Sequence, residues 1–204
     1  MAEEPLIPGG QPTLETERLV LRPFELADAP AVKGLAGAFA IADTTLAIPH
    51  PYPNGAAAKW IAAHEPGFAA GTLASYAITI RNVGALVGAI GLIMESSHAR
   101  AELGYWIGVP FWRQGYATEA GRAILAFGFR SLQLHRIEAH YLVRNPASGR
   151  VLEKLGMRRE GILRQAVRKW DRFEDLGVCA ILATEWQGKA PRSGSPLPNA
   201  LLDR

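Results

Sequence analysis

Gly104–Ala120 reads GYWIGVPFWRQGYATEA. Leading into and through it, apolar residues recur at every second position (Leu103, Tyr105, Ile107, Val109) until Pro110, the pattern of a strand. The loop Phe111-Trp112-Arg113-Gln114-Gly115 carries a cation and a glycine. Tyr116 then opens a segment of helical spacing through Ala117, Ala120, Ile124 and Phe127. Strand, glycine-bearing loop and helix together form a device for holding phosphate. The first amides of a helix lack intrahelical partners, and the macrodipole places partial positive charge there. A loop that aims further amides at the same point completes an anion cradle. The loop has neither the lysine and hydroxyl of a nucleoside-triphosphate site nor the three-glycine dinucleotide fingerprint. What remains is a single-glycine cradle. The backbone N–H groups of Arg113, Gln114, Gly115, Tyr116 and Ala117, with Thr118 at the helix start, are its expected donors.

The rest of the chain supplies alternating elements around this unit. Thr16–Pro23 alternates apolar and charged residues and reads as a strand. Leu26–Ala38 reads as an alanine-rich helix with Asp28 in its first turn. Three prolines between Ile48 and Asn54 exclude regular structure, and Asn54 is the expected N-cap of a helix over Gly55–His64. Ser75–Arg81, Ala85–Met94, Ala101–Ile107 and Arg136–Val143 read as strands. Asn145-Pro146 starts a short helix that stops at Gly156. Met157–Val167 and Leu176–Glu185 pair as a hairpin around the polar turn Lys169–Glu174. Residues 1–12 and 188–204 read as flexible tails, and residues 13–187 as a single domain.

Composition is consistent with one packed globular domain. Of 204 residues 49% are hydrophobic, enough to fill a core. A net charge of +3, spread along the chain, argues against nucleic acid as a partner but suits an anionic ligand. The lone cysteine, Cys179, cannot form an intrachain disulfide or a cysteine-only metal site, and the expected setting is the reduced cytoplasm. No run approaches the ~20 apolar residues needed to span a bilayer, and the acidic, Pro/Gly-rich start is unlike a signal peptide. His64, His98, His135 and His140 show no metal-ligand spacing and read as packing or surface residues; no metal is expected.

Trp112-Arg113-Gln114-Gly115-Tyr116-Ala117 resembles the acyl-CoA pyrophosphate loop of the GNAT superfamily of N-acetyltransferases, with Trp in place of the usual first Gln or Arg. The form W-x-x-G-Y-A-T-E-A is similar to that of the RimJ/RimL-like branch. Further pieces in the same order carry the resemblance from about Thr13 to Trp186: TERLVLRPF, AAAKWI, ELGYWIGVPFWRQGYATEA, LHRIEAHYLVRNPASGRVLEKLGMRREGILR and DLGVCAIL. The resemblance implies an α/β (α+β) fold: a mixed, mostly antiparallel central sheet flanked by helices, in the order β-α-α-β-β-β-α-β-α-β-β. It implies acetyl-CoA as cosubstrate and a primary amine as acceptor, and by analogy it allows a homodimer.

The resemblance also implies roles. The strand Glu102–Ile107 and the strand Arg136–Val143 would splay apart and admit pantetheine as an added strand. An N–H near Trp106 and Ile107 would point at the thioester oxygen. Asn145 would contact pantetheine, though an N-cap role for it is equally open. Ser148 would lie near the sulfur and protonate or position the leaving thiolate. Glu160 stands where this branch places a proposed base. Glu102 is its rival, on a strand that carries a carboxylate in other members, and each also reads as a solvated charge. A late-strand tyrosine that often serves as general acid is replaced here by Cys179, which itself reads as core. Ala47–Asn54 and the turn Lys169–Glu174 are the expected walls of the amine site, with Trp170, Asp171 and Asp175 as candidate attractors of a cation. The expected reaction is direct attack in a ternary complex on either a protein N-terminal α-amine or a small amine. The competing expectation is a non-catalytic acyl-CoA sensor.

Overall fold

The computed structural model describes residue 7 and residues 10–188. Its centre is an eight-stranded sheet in the order β1-β2-β3-β4-β5-β6-β8-β7. The strands are β1 (Leu14–Glu15), β2 (Leu19–Pro23), β3 (Leu73–Ile80), β4 (Leu86–Glu95), β5 (Arg100–Ile107), β6 (Arg136–Leu142), β7 (Arg158–Lys169) and β8 (Arg172–Leu182). Every pairing is antiparallel except β5 with β6, which α5 (Tyr116–Arg130) joins by a crossover. A parallel pair needs such a crossover, because a hairpin turn cannot make one.

Helices cover both faces. Alternation along β3, β4 and β5 sends Tyr76, Ile78, Ile90, Leu92 and Leu103 to one side, where they pack with Ile124 and Phe127 of α5 and Leu152 of α6 (Pro146–Lys154). The other side carries Ala77, Ala89 and Trp106 under α1 (Ala29–Ala36), α2 (Phe39–Thr44) and α3 (Ala56–Ala62), through Val32, Ile41 and Ile61. A further helix, α4 (His64–Ala69), follows α3 directly.

Several expectations need correction. The helix expected over Leu26–Ala38 is a 3-10 turn at Leu26–Asp28 followed by α1, which stops at Gly37, and α2 follows as an element that periodicity did not separate. Asn54 does not cap α3. Gly55, at φ 75°, takes that position, and Asn54 Oδ1 instead accepts from Lys33 Nζ at 2.6 Å. The last hairpin is longer than expected, its strands nearly meeting at Trp170 and Asp171. The tails expected over 1–12 and 188–204 fall mostly outside the described residues. Of the first, Ile7 packs against the core and Gln11 Nε2 donates to the Ser75 carbonyl at 2.7 Å.

Candidate active site

The parallel pairing of β5 and β6 is short. Arg100, Ala101 and Glu102 pair with Arg136, Ile137 and Glu138, and no further. Beyond that rung β5 stays with β4 as far as Ile107, and β6 stays with β8 as far as Leu142. Positions that a continued register would pair, Gly104 with His140 and Tyr105 with Tyr141, are opposite walls of a cavity of ≈ 1050 Å³. The strands therefore fork, as the resemblance implied. On the β6 side of the fork, the β5 backbone has lost its strand partner, and an extended ligand with amide groups can take its place.

The 112–118 loop closes one end of the fork. Arg113 lies at φ 62° and Gly115 at φ 83°, so two residues of the loop occupy the left-handed region. Glycine adopts that conformation freely; arginine does so at a cost. Gly115 precedes the first turn of α5, and no side chain caps that helix. Among the described residues, no hydrogen bond uses the amides from Arg113 to Thr118. Arg113, Gly115, Tyr116, Ala117 and Thr118 all line the cavity, as do Trp106 and Ile107. Gln114 does not. Its carbonyl accepts from Arg18 Nη1 at 3.0 Å and its side chain turns to the Pro110 carbonyl, which leaves it only its amide as a ligand. Trp112, standing where the family usually has Gln or Arg, donates Nε1–H to the Ile107 carbonyl at 2.5 Å and so ties the loop to the end of β5. Two further cations, Arg150 and Lys154 of α6, line the cavity. Free amides and three cations suit a diphosphate.

The opposite wall is α6. Asn145 Oδ1 accepts from the Ser148 amide at 3.3 Å, and Pro146 follows it, so its side chain serves the helix start while it also lines the cavity. Ser148 Oγ lies 2.7 Å from the Tyr105 hydroxyl, which also donates to the Ser148 carbonyl at 3.3 Å. Burial pushes the Tyr105 phenol up to about 12, against the opposing effect of the Ser148 hydrogen bond, so Tyr105 keeps its proton at neutral pH. Cys179 is buried in the core, burial raises its thiol, and it does not reach the cavity. The Tyr105–Ser148 pair brings two hydroxyls to the cavity wall.

The two candidate bases separate cleanly. Glu160 sits at the closed end of the fork, where Arg136 Nη1 and Nη2 hold its two oxygens at 2.7 and 2.6 Å. That hydrogen bonding keeps its carboxyl below the ordinary value, and its side chain is outside the cavity. Glu160 is not brought to the site. Glu102 is on the last paired rung and lines the cavity. Its Oε1 lies 3.1 Å from His140 Nδ1, across the crotch of the fork. A carboxylate only accepts, so the hydrogen belongs on Nδ1 and neutral His140 is left with a free lone pair on Nε2.

The Pro-rich loop expected to wall an amine site lines the cavity through Ala47, Ile48, Pro49 and Tyr52, next to Leu46. The hairpin turn contributes none of the lining. It braces the loop instead. Buried Lys169 reaches the Leu46 and Ile48 carbonyls at 3.3 Å, and Trp170 Nε1 donates to Asp43 Oδ1 at 3.1 Å. Asp175 Oδ1 accepts from the Gln165 amide and so belongs to the hairpin, not to a ligand. Sequence reasoning passed over Tyr105, Arg150 and Lys154, and it read His140, which lines the cavity, as a packing or surface residue. Equal offsets from the start of β5 and β6 would have put 102 beside 138, and so near 140, once parallel pairing was assumed.

The family described as "Acetyltransferase (GNAT) domain" matches residues 18–158. Among similar proteins, the uncharacterized N-acetyltransferase YnaD of Bacillus subtilis is 35% identical over 111 residues, covering 54% of this chain and 65% of that protein. The [ribosomal protein uS5]-alanine N-acetyltransferase of Escherichia coli is 29% identical over 46% of this chain and 48% of its own length. The chain therefore spans less than two thirds of the curated relatives it matches. Among solved structures, Mycobacterium smegmatis RimJ in complex with CoA-disulfide superposes with a TM-score of 0.79 at 25% identity, over 87% of this chain and 90% of that one. A GNAT-family acetyltransferase from Bacillus anthracis gives 0.76 at 27% identity, over 85% and 100%. With its forked sheet and its amide-lined loop inside the matched span, this chain belongs to the GNAT acetyltransferase family.

Proposed function

We propose that the chain is an N-acetyltransferase that moves acetyl from acetyl-CoA to a primary amine by direct attack in a ternary complex. The observation that carries this reading is the fork of β5 and β6 opening beside the free amides of Arg113 to Thr118. Acetyl-CoA supplies an activated acetyl group and a thiolate that can leave. The chain supplies the rest. The loop amides with Arg113, Arg150 and Lys154 hold the diphosphate, and the unpaired edge of β5 holds the pantetheine arm. The Glu102–His140 pair receives the proton that the amine gives up as its nitrogen bonds to the acetyl carbon. Glu102 fixes the imidazole so that Nε2 is the accepting atom. Ser148 Oγ–H, oriented by Tyr105, donates a hydrogen bond to the sulfur as the carbon–sulfur bond breaks and the thiolate leaves. With Cys179 in the core, its thiol is not available to carry the acetyl group. The relatives' names include a ribosomal-protein alanine N-acetyltransferase, so a protein N-terminal α-amine is one acceptor class and a small amine the other. A single cytoplasmic domain over residues 13–187, paired as a homodimer, completes the proposal; sizing the protein in solution tests the last point.

Calorimetry with CoA and an acceptor screen with radiolabelled acetyl-CoA test the whole. The parent binds CoA and releases thiol with at least one peptide or small amine. Gly115→Asp puts a carboxylate where the diphosphate is held, and its CoA affinity falls at least about tenfold. Equal CoA affinity in the two proteins removes the cradle. CoA binding with no turnover across peptides and amines replaces the enzyme with the sensor.

A further inference from the structure

The cavity passes through the sheet at the fork and changes character on the way. On the face packed by α5 and α6 it is lined by Tyr105, Ser148, Arg150 and Lys154. On the face packed by α1, α2 and α3 it is lined by Val32, Ala36, Ile41, Ile48 and Trp60. Among the described residues the only carboxylate in the lining is Glu102, and the three Arg and Lys side chains stand on the loop before α5 and on α6. The Thr44 and Thr45 hydroxyls, which follow α2 on the second side, are spent on carbonyls of that helix. One end therefore suits a polyanion. The other offers a single negative charge in apolar surroundings.

On that second side β5 presents three unlike positions in a row. Glu102, Gly104 and Trp106 alternate along the strand, so they share one face of the sheet, the face under α1, α2 and α3. All three line the cavity. A glycine inside a strand weakens it and calls for a reason. Gly91, its partner on β4, has one: a Cβ there would lie 2.7 Å from the Ala74 carbonyl oxygen. Gly104 has no such constraint. Its φ is not positive, and a Cβ on it would meet nothing within 4 Å. What this glycine provides is room. The row reads carboxylate, gap, indole, with the gap about 7 Å along the strand from Glu102. Gly91 and Ser75 extend the gap along the same rung, and both line the cavity.

We propose that Gly104 selects the acceptor: a primary amine seated at Glu102 whose uncharged apolar body, an aryl or branched alkyl group two carbons from the nitrogen, fills the gap between Glu102 and Trp106. This rests on the acetyl-transfer reading above. The single carboxylate seats one ammonium group. A second would be left among apolar walls, so diamines are poor acceptors, and an acidic group would find no Arg or Lys on that side. The same shape has two sources. The ring of phenethylamine stands two carbons from its nitrogen, and the ring of a peptide that begins with phenylalanine stands equally far from the α-amine.

The test sets phenethylamine and isopentylamine against ethylamine and 1,4-diaminobutane, with short peptides that begin with phenylalanine or alanine. The parent prefers the two apolar amines over ethylamine by about 10- to 100-fold in kcat/KM, and diaminobutane does no better than ethylamine. Gly104→Leu fills the gap and lowers the phenethylamine-to-ethylamine ratio at least about tenfold. Gly104→Ala, whose methyl meets no neighbour, keeps the fold and lowers the ratio about fourfold. A ratio near one in the parent, a preference for diaminobutane, or a ratio unchanged in the folded variants overturns the proposal. The peptides tell the source. The phenylalanine peptide ahead of the alanine peptide and of phenethylamine assigns a protein N-terminus, phenethylamine ahead of both assigns a small molecule, and the alanine peptide ahead of the phenylalanine peptide overturns the proposal. Calorimetry on the CoA-bound protein gives a readout that needs no turnover. Phenethylamine binds the parent at least about tenfold tighter than ethylamine, and Gly104→Leu loses that margin; equal affinities in the parent overturn the proposal. Absence of thiol release with every amine removes the acetyl-transfer reading, and the calorimetry then still decides the role of Gly104.

Discussion

Lowering the pH from 7 to 5 should weaken this fold through His64 before it weakens it through any carboxylate. The imidazole is buried against Trp60 and Phe24, and its value falls from 6.5 to about 4 because burial disfavours the charged ring. In the unfolded chain it titrates near 6.5. The sign follows directly. Above 6.5 both states are neutral and the contribution of His64 is fully present. Between 6.5 and 4 the unfolded chain takes up a proton that the fold refuses, so stability falls with falling pH; below 4 both states are protonated and the loss stops. At pH 5 the difference amounts to about 2 kcal/mol relative to pH 7, from 1.36 kcal/mol per unit of pKa. For a domain of this size that is about 4–8 °C in melting temperature.

The carboxylates act in the same direction but lower. Asp28 and Asp43 are held below 3.8, and Glu119 and Glu160 below 4.5: burial raises each, most of all Asp28 and Glu119, and is outweighed by hydrogen bonds and charge from Arg22 on Asp28, from Arg144 on Asp43, from Thr16 and then Arg18 on Glu119, and from Arg136 on Glu160. Their share is lost as the pH drops through and below those values. Urea unfolding followed by circular dichroism at pH 7, 6 and 5 therefore isolates the histidine. The parent loses about 2 kcal/mol across that range, while His64→Gln, which cannot titrate, shows a pH-independent offset and a nearly flat profile. Equal slopes in parent and variant refute the reasoning, because the proton must then go elsewhere.

The remaining predictions concern the reaction. Glu102→Gln lowers kcat about 100-fold and leaves the CoA dissociation constant near the parent value, whereas Glu160→Gln changes stability by no more than about 1 kcal/mol and leaves kcat alone, since Glu160 is the exposed member of its pair with Arg136; steady-state kinetics with calorimetry separate the two. Tyr105→Phe and Ser148→Ala each slow thiol release, and the double variant is no slower than the worse single one, because the phenol acts only through the serine; additive losses would make them independent. Glu119→Gln weakens CoA binding by about tenfold without touching the ligand, because Glu119 carries the loop's outer support; unchanged affinity would show that the loop stands unaided.

Periodicity located nearly every strand, because burial on a sheet imposes its alternation directly on the chain. β5 and β6 were placed to within a residue at each end. It failed where short elements interrupt one another. α2 lies so close to α1 that one apolar pattern runs through both, and β1 is two residues long and held by pairing with Leu21 and Val20, not by a pattern of its own. The site was legible where chemistry is carried by backbone, as in the loop 112–118 and at Asn145-Pro146, since glycine and proline advertise the conformations they permit. It was illegible where a side chain's role depends on a neighbour from another strand. Glu102 and Glu160 are both single charges in strands; only the short β5–β6 register puts one in the crotch with His140 and the other behind it with Arg136.

The same dependence explains why two motifs a hundred residues apart occur together. Thr16 and Arg18 open the first strand hairpin, and Glu119 lies in the first turn of α5. Thr16 Oγ1 donates to Glu119 Oε1 at 2.6 Å, the Arg18 amide to the same oxygen at 2.8 Å, and Arg18 Nε to Oε2 at 2.7 Å. The Arg18 guanidinium also lies over the Tyr116 ring at 4.9 Å and donates to the Gln114 carbonyl. A loop with two residues at positive φ and a row of amides held off all partners is costly to keep open. Its support has to come from outside itself, because any partner within the loop would consume the donors it presents. The anion cradle is therefore a property of two segments. The TERL of the first segment matters to ligand binding through one carboxylate, which neutralises Arg18 and leaves the inner amides as the positive end that faces the cavity.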